Sequence, residues 1–324
     1  MSDMHLVDID GKLEQEPIRS GFGRGLLEAG KRWDNVVAAC ADLTDSTKMS
    51  LFAKEFPERY IEVGVAEQNL VTTGAGLAAM SKIPFVSSYA AFSPGRNWEQ
   101  IRTTICLNDR WVKIIGSHAG VSVGPDGATH QMLEDIALMR VLPNMVVIAP
   151  CDSVEAEKAT IAMATDKRPN YLRLAREATP IITTEKTPFE IGQAYVFAKG
   201  ADVSLITTGT MTYQALAAVD RLYKDGIEAE VIHVPTIKPL DTETILKSVR
   251  KTGAVVTAEE GQIIGGLGGA IAELLSEECP TPMKRIGMQD RFGESGAPEQ
   301  LIEHFGLDAK HIRLASHAVL ERKG

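Results

Sequence analysis

The sequence has no long hydrophobic run and no excess of basic residues. No apolar stretch approaches the roughly 20 residues needed to span a bilayer. The 34 Lys and Arg residues are outnumbered by 43 Asp and Glu residues, which gives a net charge of -9. Because nucleic acids and anionic membranes attract proteins through basic patches, this balance argues against both as partners. Small molecules and other proteins are therefore the expected partners.

Cysteine is scarce, and no cysteines lie close together in the sequence. The four cysteines are Cys40, Cys106, Cys151 and Cys279. They form no Cys-x-x-Cys pair, so neither a disulfide framework nor a compact zinc site is predicted. The N-terminal segment MSDMHLVDIDGK also lacks the apolar centre of a secretory signal. We therefore expect a protein of the reducing cytoplasm.

Short repeats and coiled-coil heptads are absent, and strand-like runs instead alternate with helix-like ones. The predicted strands are NVVAACAD, RYIEVG, PFVSSY, VKIIGS, NMVVIAP and NYLRLA, and later DVSLITTGT, EAEVIHVP and AVVTAEE. Such alternation is typical of parallel sheets covered by helices on both faces. A polar, Pro-containing stretch near TTEKTPFEIG interrupts it. The sequence predicts an α/β fold with two domains, residues 1–186 and 187–324, each built on a mainly parallel sheet.

Polar residues follow several predicted strands, where ligands of parallel sheets collect. Asp42, Glu67 and His118 follow three of these strands, and the segment YAAFSPGR follows another. Glu67 belongs to YIEVGVAEQNL, where an apolar strand passes into a helix, with Val63, Val65 and Leu70 expected to surround its carboxylate. It is predicted to be either a helix cap or a buried functional carboxylate.

The segment SHAGVSVGPDGATHQ combines glycines with three titratable residues, His118, Asp126 and His130. Their spacing does not fit a compact zinc site on one helix, so proton transfer or hydroxyl binding is the favoured role. The alternative is a turn followed by a helix-capping histidine. The later glycine-rich stretch GQIIGGLGGAIAELL could suggest a nucleotide loop, but we favour helix packing or an interface. The four histidines beyond residue 187 are expected to be structural or exposed.

Five segments in order resemble the pyrimidine-binding domain of the transketolase family: ADLTDS, YIEVGVAEQNL, FVSSYAAFSPGR, SHAGVSVGPDGATHQ and NYLRLAR. The chain from about residue 187 resembles that family's C-terminal domain. The Gly-Asp-Gly motif with which transketolases bind a divalent metal and the diphosphate of thiamine diphosphate does not occur. The chain therefore resembles the C-terminal half of a split transketolase. A separate N-terminal subunit would supply the diphosphate pocket and the Mg²⁺ or similar ion, and this chain would supply no metal ligand.

The resemblance implies which residues meet the cofactor. Glu67 matches the carboxylate that hydrogen-bonds the ring nitrogen of the aminopyrimidine and promotes its proton transfer. Tyr89 and Phe92 match positions that give the ring apolar and stacking surface. Asp42 and Arg96 match positions near the cofactor. The predicted catalytic residues are Glu67, His118 and His130.

The resemblance also implies a sugar-phosphate pocket. Positions that hold the phosphate fall on cationic and hydrogen-bonding residues, namely Arg19, Ser46, His118 and Arg176. Asp126 and His130 match positions that hold sugar hydroxyls. Arg173 competes with Arg176 for the phosphate assignment, and the sequence leaves both open.

The expected function is that of a C-terminal transketolase subunit, which moves a two-carbon ketol unit from a ketose phosphate to an aldose. The active site would form between chains, in an α₂β₂ heterotetramer. Related alternatives are an enzyme like deoxyxylulose-phosphate synthase and the β subunit of a 2-oxo acid dehydrogenase. A non-catalytic scaffold subunit is the alternative from another class. The sugar remains open among pentose-phosphate, branched and sulfonated ketoses.

Overall fold

The computed structural model describes residues 4–9 and 11–323 and contains two helix-covered sheets and a small two-stranded one. The first part of the chain contains β1 (Gln15–Pro17), α1 (Ile18–Arg32), β2 (Val36–Cys40), α2 (Ser50–Glu55), β3 (Tyr60–Glu62), α3 (Glu67–Ala79), β4 (Ile83–Tyr89), α4 (Trp98–Gln100), β5 (Lys113–Ser117), α5 (Asp135–Arg140), β6 (Val146–Ile148), α6 (Ser153–Thr165), β7 (Asn170–Arg173) and β8 (Ala178–Pro180). The second part contains β9 (Tyr195–Ala198), β10 (Val203–Thr207), α7 (Met211–Lys224), β11 (Ala229–His233), β12 (Thr236–Lys238), α8 (Thr242–Thr252), β13 (Val255–Gln262), α9 (Leu267–Glu278), β14 (Met283–Met288), α10 (Pro298–His304) and α11 (Ala309–Leu320). A π-helical stretch, Ile101–Cys106, continues α4, and short 3₁₀ turns form at Pro57–Arg59 and Val121–Asp126.

The first large sheet has the strand order β12-β6-β7-β5-β4-β2-β3. Its strands are parallel except β12, which pairs antiparallel with β6. β2 and β5 are buried along their whole length because helices cover both faces. The mainly parallel α/β architecture predicted from the alternating pattern is thus confirmed.

Close contact between α1 and α6 determines where the first site residue lies. A Cβ on Gly21 of α1 would sit 1.8 Å from the carbonyl oxygen of Ser153, so only glycine fits there. α1 precedes β2 and covers the sheet, which places its N-terminus at the carboxyl ends of the strands. Arg19, the second residue of α1, therefore reaches the sheet edge where ligands bind.

The second large sheet has the order β14-β13-β10-β11-β9. Four of its strands are parallel neighbours, and β9 adds an antiparallel edge. α11 contributes Ile312 and Val319 to the core, and both are fully buried. None of the helices in the described ranges combines the length and the apolar character needed to cross a membrane.

Two features of the first sheet differ from the sequence expectation. The run RYIEVG forms only the short, half-buried edge strand β3, and Val65 lies outside it with 69% of its surface exposed. In addition, β12 comes from the chain beyond residue 187, yet it extends the first sheet. The residue pattern of one strand cannot reveal which sheet it joins, because that depends on which sheet has an unpaired edge strand nearby in the fold.

Candidate active site

Glu67 is the first residue of α3 and lies at the carboxyl edge of the first sheet. It is only 5% exposed. The helix cap, Ala66, makes no side-chain hydrogen bond, so the carboxylate stands by the positive end of the helix without a competing cap. The Asn97 amide donates to the Glu67 carbonyl oxygen at 2.8 Å, which fixes the backbone at this junction. An open cavity of about 520 Å³ borders Glu67, its helix neighbours and Arg96.

The surroundings of Glu67 differ from the apolar enclosure that the sequence suggested. Val65 is exposed, and Leu70 points into the hydrophobic core beneath the sheet, so neither encloses the carboxylate. Arg96 instead places a guanidinium nitrogen 3.5 Å from a Glu67 carboxylate oxygen. The Arg96 Cζ also lies 4.3 Å from the centroid of the Phe92 ring. A charged partner, not apolar residues alone, therefore faces this glutamate.

Aromatic rings continue the site from Arg96 towards His118. The Tyr89 and Phe92 rings are nearly parallel, with centroids 6.0 Å apart and planes 18° apart. Tyr89 stacks on the His118 imidazole at 3.7 Å, and the His130 imidazole meets Phe92 edge-on at 5.4 Å. These rings present flat apolar surface with polar groups at both ends, which suits a heteroaromatic ring.

His118 follows β5 in a left-handed backbone conformation with φ 58°, and its side chain is buried. Its Nε2 is 3.1 Å from Arg19 Nη1, and its Nδ1 is 2.9 Å from the Ser117 hydroxyl oxygen. Arginine can only donate, so Nε2 accepts and the proton resides on Nδ1. Burial, followed by the charges of Arg19 and Arg176, lowers the pKa of His118 to about 3. The ring is therefore neutral at physiological pH.

Arg19 and Arg176 give this end of the site its positive charge. Arg19 Nη1 donates to the Ser46 carbonyl oxygen at 2.6 Å, whereas its buried Nε has no hydrogen-bond partner. Burial and the nearby charge of Arg176 lower the pKa of Arg19. Arg176 donates to the Val123 carbonyl oxygen at 2.8 Å. Two adjacent guanidinium groups, one with an unused donor, are suited to an oxyanion.

Arg173, the rival of Arg176 in the sequence, lies elsewhere. It is buried, and its Nε pairs with the Asp135 carboxylate at 3.0 Å. Its Nη2 donates to the Glu260 carbonyl oxygen at 2.7 Å. Arg173 therefore has a structural network of its own. Arg176, by contrast, is partly exposed and lies 3.4 Å from Asp126.

The remaining predicted residues lie at the same edge in different settings. Asp42 is exposed after β2, with φ 58°, and its backbone N–H donates to Glu62 at 2.7 Å. Ser46 offers its carbonyl oxygen to Arg19, not its hydroxyl. His130 shares a hydrogen bond with the Thr129 hydroxyl at 2.9 Å. Trp98, two residues beyond Arg96, packs on the core and donates to the Leu138 carbonyl oxygen.

Asn97 and Ser117 are site residues that the sequence analysis missed. Asn97 is fully buried and holds both Glu67 and Ser93, while its own Oδ1 lacks a partner. Ser117 accepts from the Nδ1–H of the His118 tautomer that Arg19 selects. Asn97 directly follows the segment YAAFSPGR, and Ser117 ends the predicted strand VKIIGS, so no local pattern distinguishes either residue. Only their long-range contacts do.

A separate group of possible metal ligands lies at the junction of the two large sheets. The group consists of Cys151, Glu155 and His233, whose ligand atoms all lie within 4.8 Å of one another. Within the described ranges it is the single such group of three or more residues. All three are buried. His233 Nε2 is 2.8 Å from a Glu155 carboxylate oxygen, and its Nδ1 is 2.9 Å from the Thr212 hydroxyl. Neither His118 nor His130 takes part.

The chain matches two domain families and several known proteins over most of its length. The pyrimidine-binding domain of transketolase matches residues 15–181, and the transketolase C-terminal domain matches residues 192–312. A putative transketolase C-terminal section of Methanocaldococcus jannaschii is 46% identical, covering 91% of this chain and 93% of that protein. A 6-deoxy-6-sulfo-D-fructose transketolase subunit of Clostridium sp. strain MSTE9 is 43% identical, covering 96% and 97%.

A solved structure agrees with these relatives. A split-gene transketolase, described as an inactive beta4 tetramer, superposes with a TM-score of 0.90 at 44% identity. The match covers 95% of this chain and 99% of that one. The chain therefore belongs to the transketolase family, as a subunit of the split type.

Proposed function

We propose that this chain is the C-terminal subunit of a two-chain transketolase. Together with a diphosphate-binding subunit, it transfers a two-carbon ketol unit from a ketose phosphate to an aldose. Thiamine diphosphate is shared between the two chains, and the partner supplies the divalent metal. The assembly is an α₂β₂ heterotetramer in the cytoplasm. The relatives named as transketolase subunits support the reaction class.

One observation carries the proposal: an unbroken series of contacts joins a buried carboxylate to a cationic pocket. Glu67 pairs with Arg96, which lies over Phe92. Phe92 is followed by Tyr89, then His118 and finally Arg19. At one sheet edge, a carboxylate for a cofactor ring is thus followed in space by a flat apolar wall and then by an oxyanion pocket. A scaffold subunit has no need of this order.

The residues present fit the pyrimidine half of the cofactor. Bound thiamine diphosphate supplies a nucleophilic carbon and an electron sink for the ketol group. Tyr89 and Phe92 hold the pyrimidine ring through stacking and apolar contact. The Glu67 carboxyl group would hydrogen-bond the ring nitrogen and transfer a proton to that atom. Asn97 keeps the first turn of α3 in position, so that the carboxylate points at the ring.

The opposite end of the site binds the substrate. Arg19 and Arg176 hold the phosphate, and a sulfonate would present the same kind of oxygen atoms. His118 is neutral and already accepts from Arg19, so it orients the guanidinium and presents ring surface to the sugar. Asp126 and His130 hydrogen-bond sugar hydroxyls. Because polar groups at such sites are costly to leave unpaired, these contacts favour ketoses with the matching hydroxyls.

The proposal is tested by Glu67→Ala and Glu67→Gln in complex with the diphosphate-binding subunit. Positioned proton transfer contributes about 100- to 10,000-fold, so turnover should fall at least about 100-fold in both variants. Turnover is followed as ketol transfer from a ketose phosphate. The matched control is Glu58→Gln, because Glu58 is an exposed glutamate away from this edge. Normal turnover in Glu67→Ala would favour the scaffold alternative.

A further inference from the structure

Arg96 contacts both groups that the pyrimidine ring is proposed to use. One of its guanidinium nitrogens lies 3.5 Å from a Glu67 carboxylate oxygen, and its Cζ lies 4.3 Å from the centroid of the Phe92 ring. A guanidinium is planar, donates hydrogen bonds from its edge and stacks on aromatic rings through its face. An aminopyrimidine shares these three properties. A ring that pairs with Glu67 and stacks on Phe92 would therefore compete with Arg96 for both contacts.

The backbone at Arg96 is fixed, whereas its side chain is held loosely. The Arg96 N–H donates to the Phe92 carbonyl oxygen at 3.0 Å. Asn97, the next residue, is fully buried and donates to the Glu67 carbonyl oxygen. The Arg96 side chain, in contrast, is 55% exposed, and its ion pair of 3.5 Å is longer than a charge-assisted hydrogen bond of about 2.7–2.9 Å. Rotation of this one side chain is therefore sufficient to break both contacts.

The space beside Arg96 permits this rotation. The open cavity of about 520 Å³ is bordered by Arg96 and by the first turn of α3. Exposed side chains change rotamer within nanoseconds, so no backbone movement is needed.

The contact also explains how Glu67 is accommodated. Its side chain is only 6% exposed, and a buried charge without a partner is costly. Arg96 supplies the opposite charge. A bound pyrimidine ring would supply a hydrogen-bonding partner of its own, so the ring can replace Arg96 without leaving the carboxylate unpaired.

We propose that Arg96 is a placeholder, which pairs with Glu67 and covers Phe92 and which the pyrimidine ring of thiamine diphosphate displaces when it binds. The inference rests on the proposed function and differs from the role that the resemblance implied, a position near the cofactor that helps to bind it. A placeholder opposes cofactor binding, whereas a residue that binds the cofactor supports it. The sign of the change on removing Arg96 distinguishes the two roles.

The sign is tested by calorimetry of thiamine diphosphate with Mg²⁺ and the two-chain complex. Arg96→Ala should bind the cofactor about five- to tenfold more tightly than the wild type, because binding no longer has to break an ion pair and a cation–π contact near the surface. Arg96→Lys keeps the charge without the planar fork and should bind with intermediate affinity. Equal or weaker binding by Arg96→Ala would overturn the proposal. If Arg96→Ala does not fold, Arg96→Lys decides by the same sign.

Arg102→Ala is the matched control. It removes the same side chain from an exposed position six residues further along the chain, and it should bind the cofactor like the wild type. Equal tightening in Arg102→Ala and Arg96→Ala would show that lost positive charge alone accounts for the change, which would also overturn the proposal.

A crystal structure of the two-chain complex with thiamine diphosphate gives a second measurement. The Arg96 Cζ should lie beyond the cation–π limit of about 6 Å from the Phe92 centroid, and the guanidinium should no longer contact Glu67. Retention of both contacts beside the bound ring would refute the displacement.

Ketol transfer is measured on the same complexes, so that the two proposals can fail separately. Tighter cofactor binding by Arg96→Ala, with no ketol transfer by the wild-type complex, would refute the proposed function and retain the placeholder. Normal transfer by the wild type, with weaker binding by Arg96→Ala, would refute the placeholder and retain the proposed function. Complexes that bind no thiamine diphosphate in any variant would overturn both.

Discussion

The carboxyl edges of the two large sheets have similar backbones but opposite polar chemistry. At the first edge, Arg19 Nε and Asn97 Oδ1 are buried without partners. At the second edge, both carboxylate oxygens of Glu259 accept hydrogen bonds, at 2.8 Å, from the backbone N–H groups of Leu267 and Gly268. Both oxygens of Glu260 are likewise occupied, by Ser122 and Thr210.

This difference shows that the parallel sheet alone does not make a site. A Cβ on Gly266 would come within 2.0 Å of the Glu259 carboxylate, so the glycine-rich stretch before α9 lets the helix close over this edge. At the first edge the corresponding polar atoms remain without partners, and buried donors and acceptors of this kind are expected to be completed by a ligand.

The largest expected effect comes from breaking the network between the two edges. Arg173→Met removes the buried partner of Asp135 and the donor to Glu260. Leaving a buried charge unpaired costs about 3–5 kcal/mol, so chemical denaturation should show a loss of this size. Arg176→Met, the matched variant, loses only partly exposed contacts and should unfold almost like the wild type.

The same pair separates stability from substrate binding. In the two-chain enzyme, Arg176→Met should raise the KM for the sugar phosphate about 10- to 100-fold, because a charge-assisted contact is lost. The assignment of Arg173 to stability and of Arg176 to substrate binding would be wrong if Arg173→Met raised the KM without lowering the stability. The assignment would also be wrong if Arg176→Met destabilised the chain and left the KM unchanged.

The second edge should have its own pH dependence. Burial raises the pKa of Glu259 to about 7, above the ordinary 4.5. The folded chain thus keeps a proton that the unfolded chain loses, and this stabilisation is lost as the pH rises from about 4.5 through about 7. At 1.36 kcal/mol per pKa unit, the loss approaches about 3 kcal/mol.

Glu259→Gln isolates this contribution because the amide does not titrate. The amide oxygen can accept from only one of the two backbone N–H groups, so the variant is expected to be less stable than the wild type at every pH. Denaturation at about pH 5 and about pH 8 should show a smaller pH difference in the variant than in the wild type. Glu278→Gln, an exposed substitution on α9, should keep the wild-type difference. Identical pH profiles for wild type and Glu259→Gln would show that the second edge does not hold this proton.

The sequence predicted most helices and strands and the residue types at the first edge. It did not predict which of these side chains contact one another. Alternating apolar runs were sufficient for the parallel sheets, because burial on both faces leaves a strong local pattern. β12 and Asn97 were missed, since their roles depend on contacts with distant segments. The predicted surroundings of Glu67 were partly wrong. Sequence proximity placed Val65 beside the carboxylate, whereas the backbone turn exposes it and brings in Arg96.

Arg173 and Arg176 show the same limit at the level of single residues. They are three positions apart with the same side chain, so local chemistry cannot rank them. β7 ends at Arg173, whose buried side chain pairs with Asp135. Arg176 lies past the strand, is partly exposed and lies 3.4 Å from Asp126. Only the position of the partner acid, supplied by α5, separates the structural arginine from the proposed phosphate ligand.

His118 gives the smallest predicted effect and the opposite pH sign. Its pKa is lowered to about 3 from 6.5, so the unfolded chain binds a proton that the folded chain excludes. The stability present above about pH 6.5 is therefore lost as the pH falls towards 3. Between about pH 7 and about pH 5 the loss is about 2 kcal/mol, and His118→Asn should remove it.

A histidine at the same edge offers the matched control for this measurement. His130 is partly exposed and carries a hydroxyl contact, so His130→Asn should keep the wild-type loss between the two pH values. If His118→Asn also keeps it, the imidazole has the same pKa in the folded and the unfolded chain and becomes protonated below about pH 6.5. It would then donate to its neighbours and could no longer accept from Arg19. In that case the first edge would hold a third positive charge, and its difference from the second edge would lie in charge more than in unpaired hydrogen bonds.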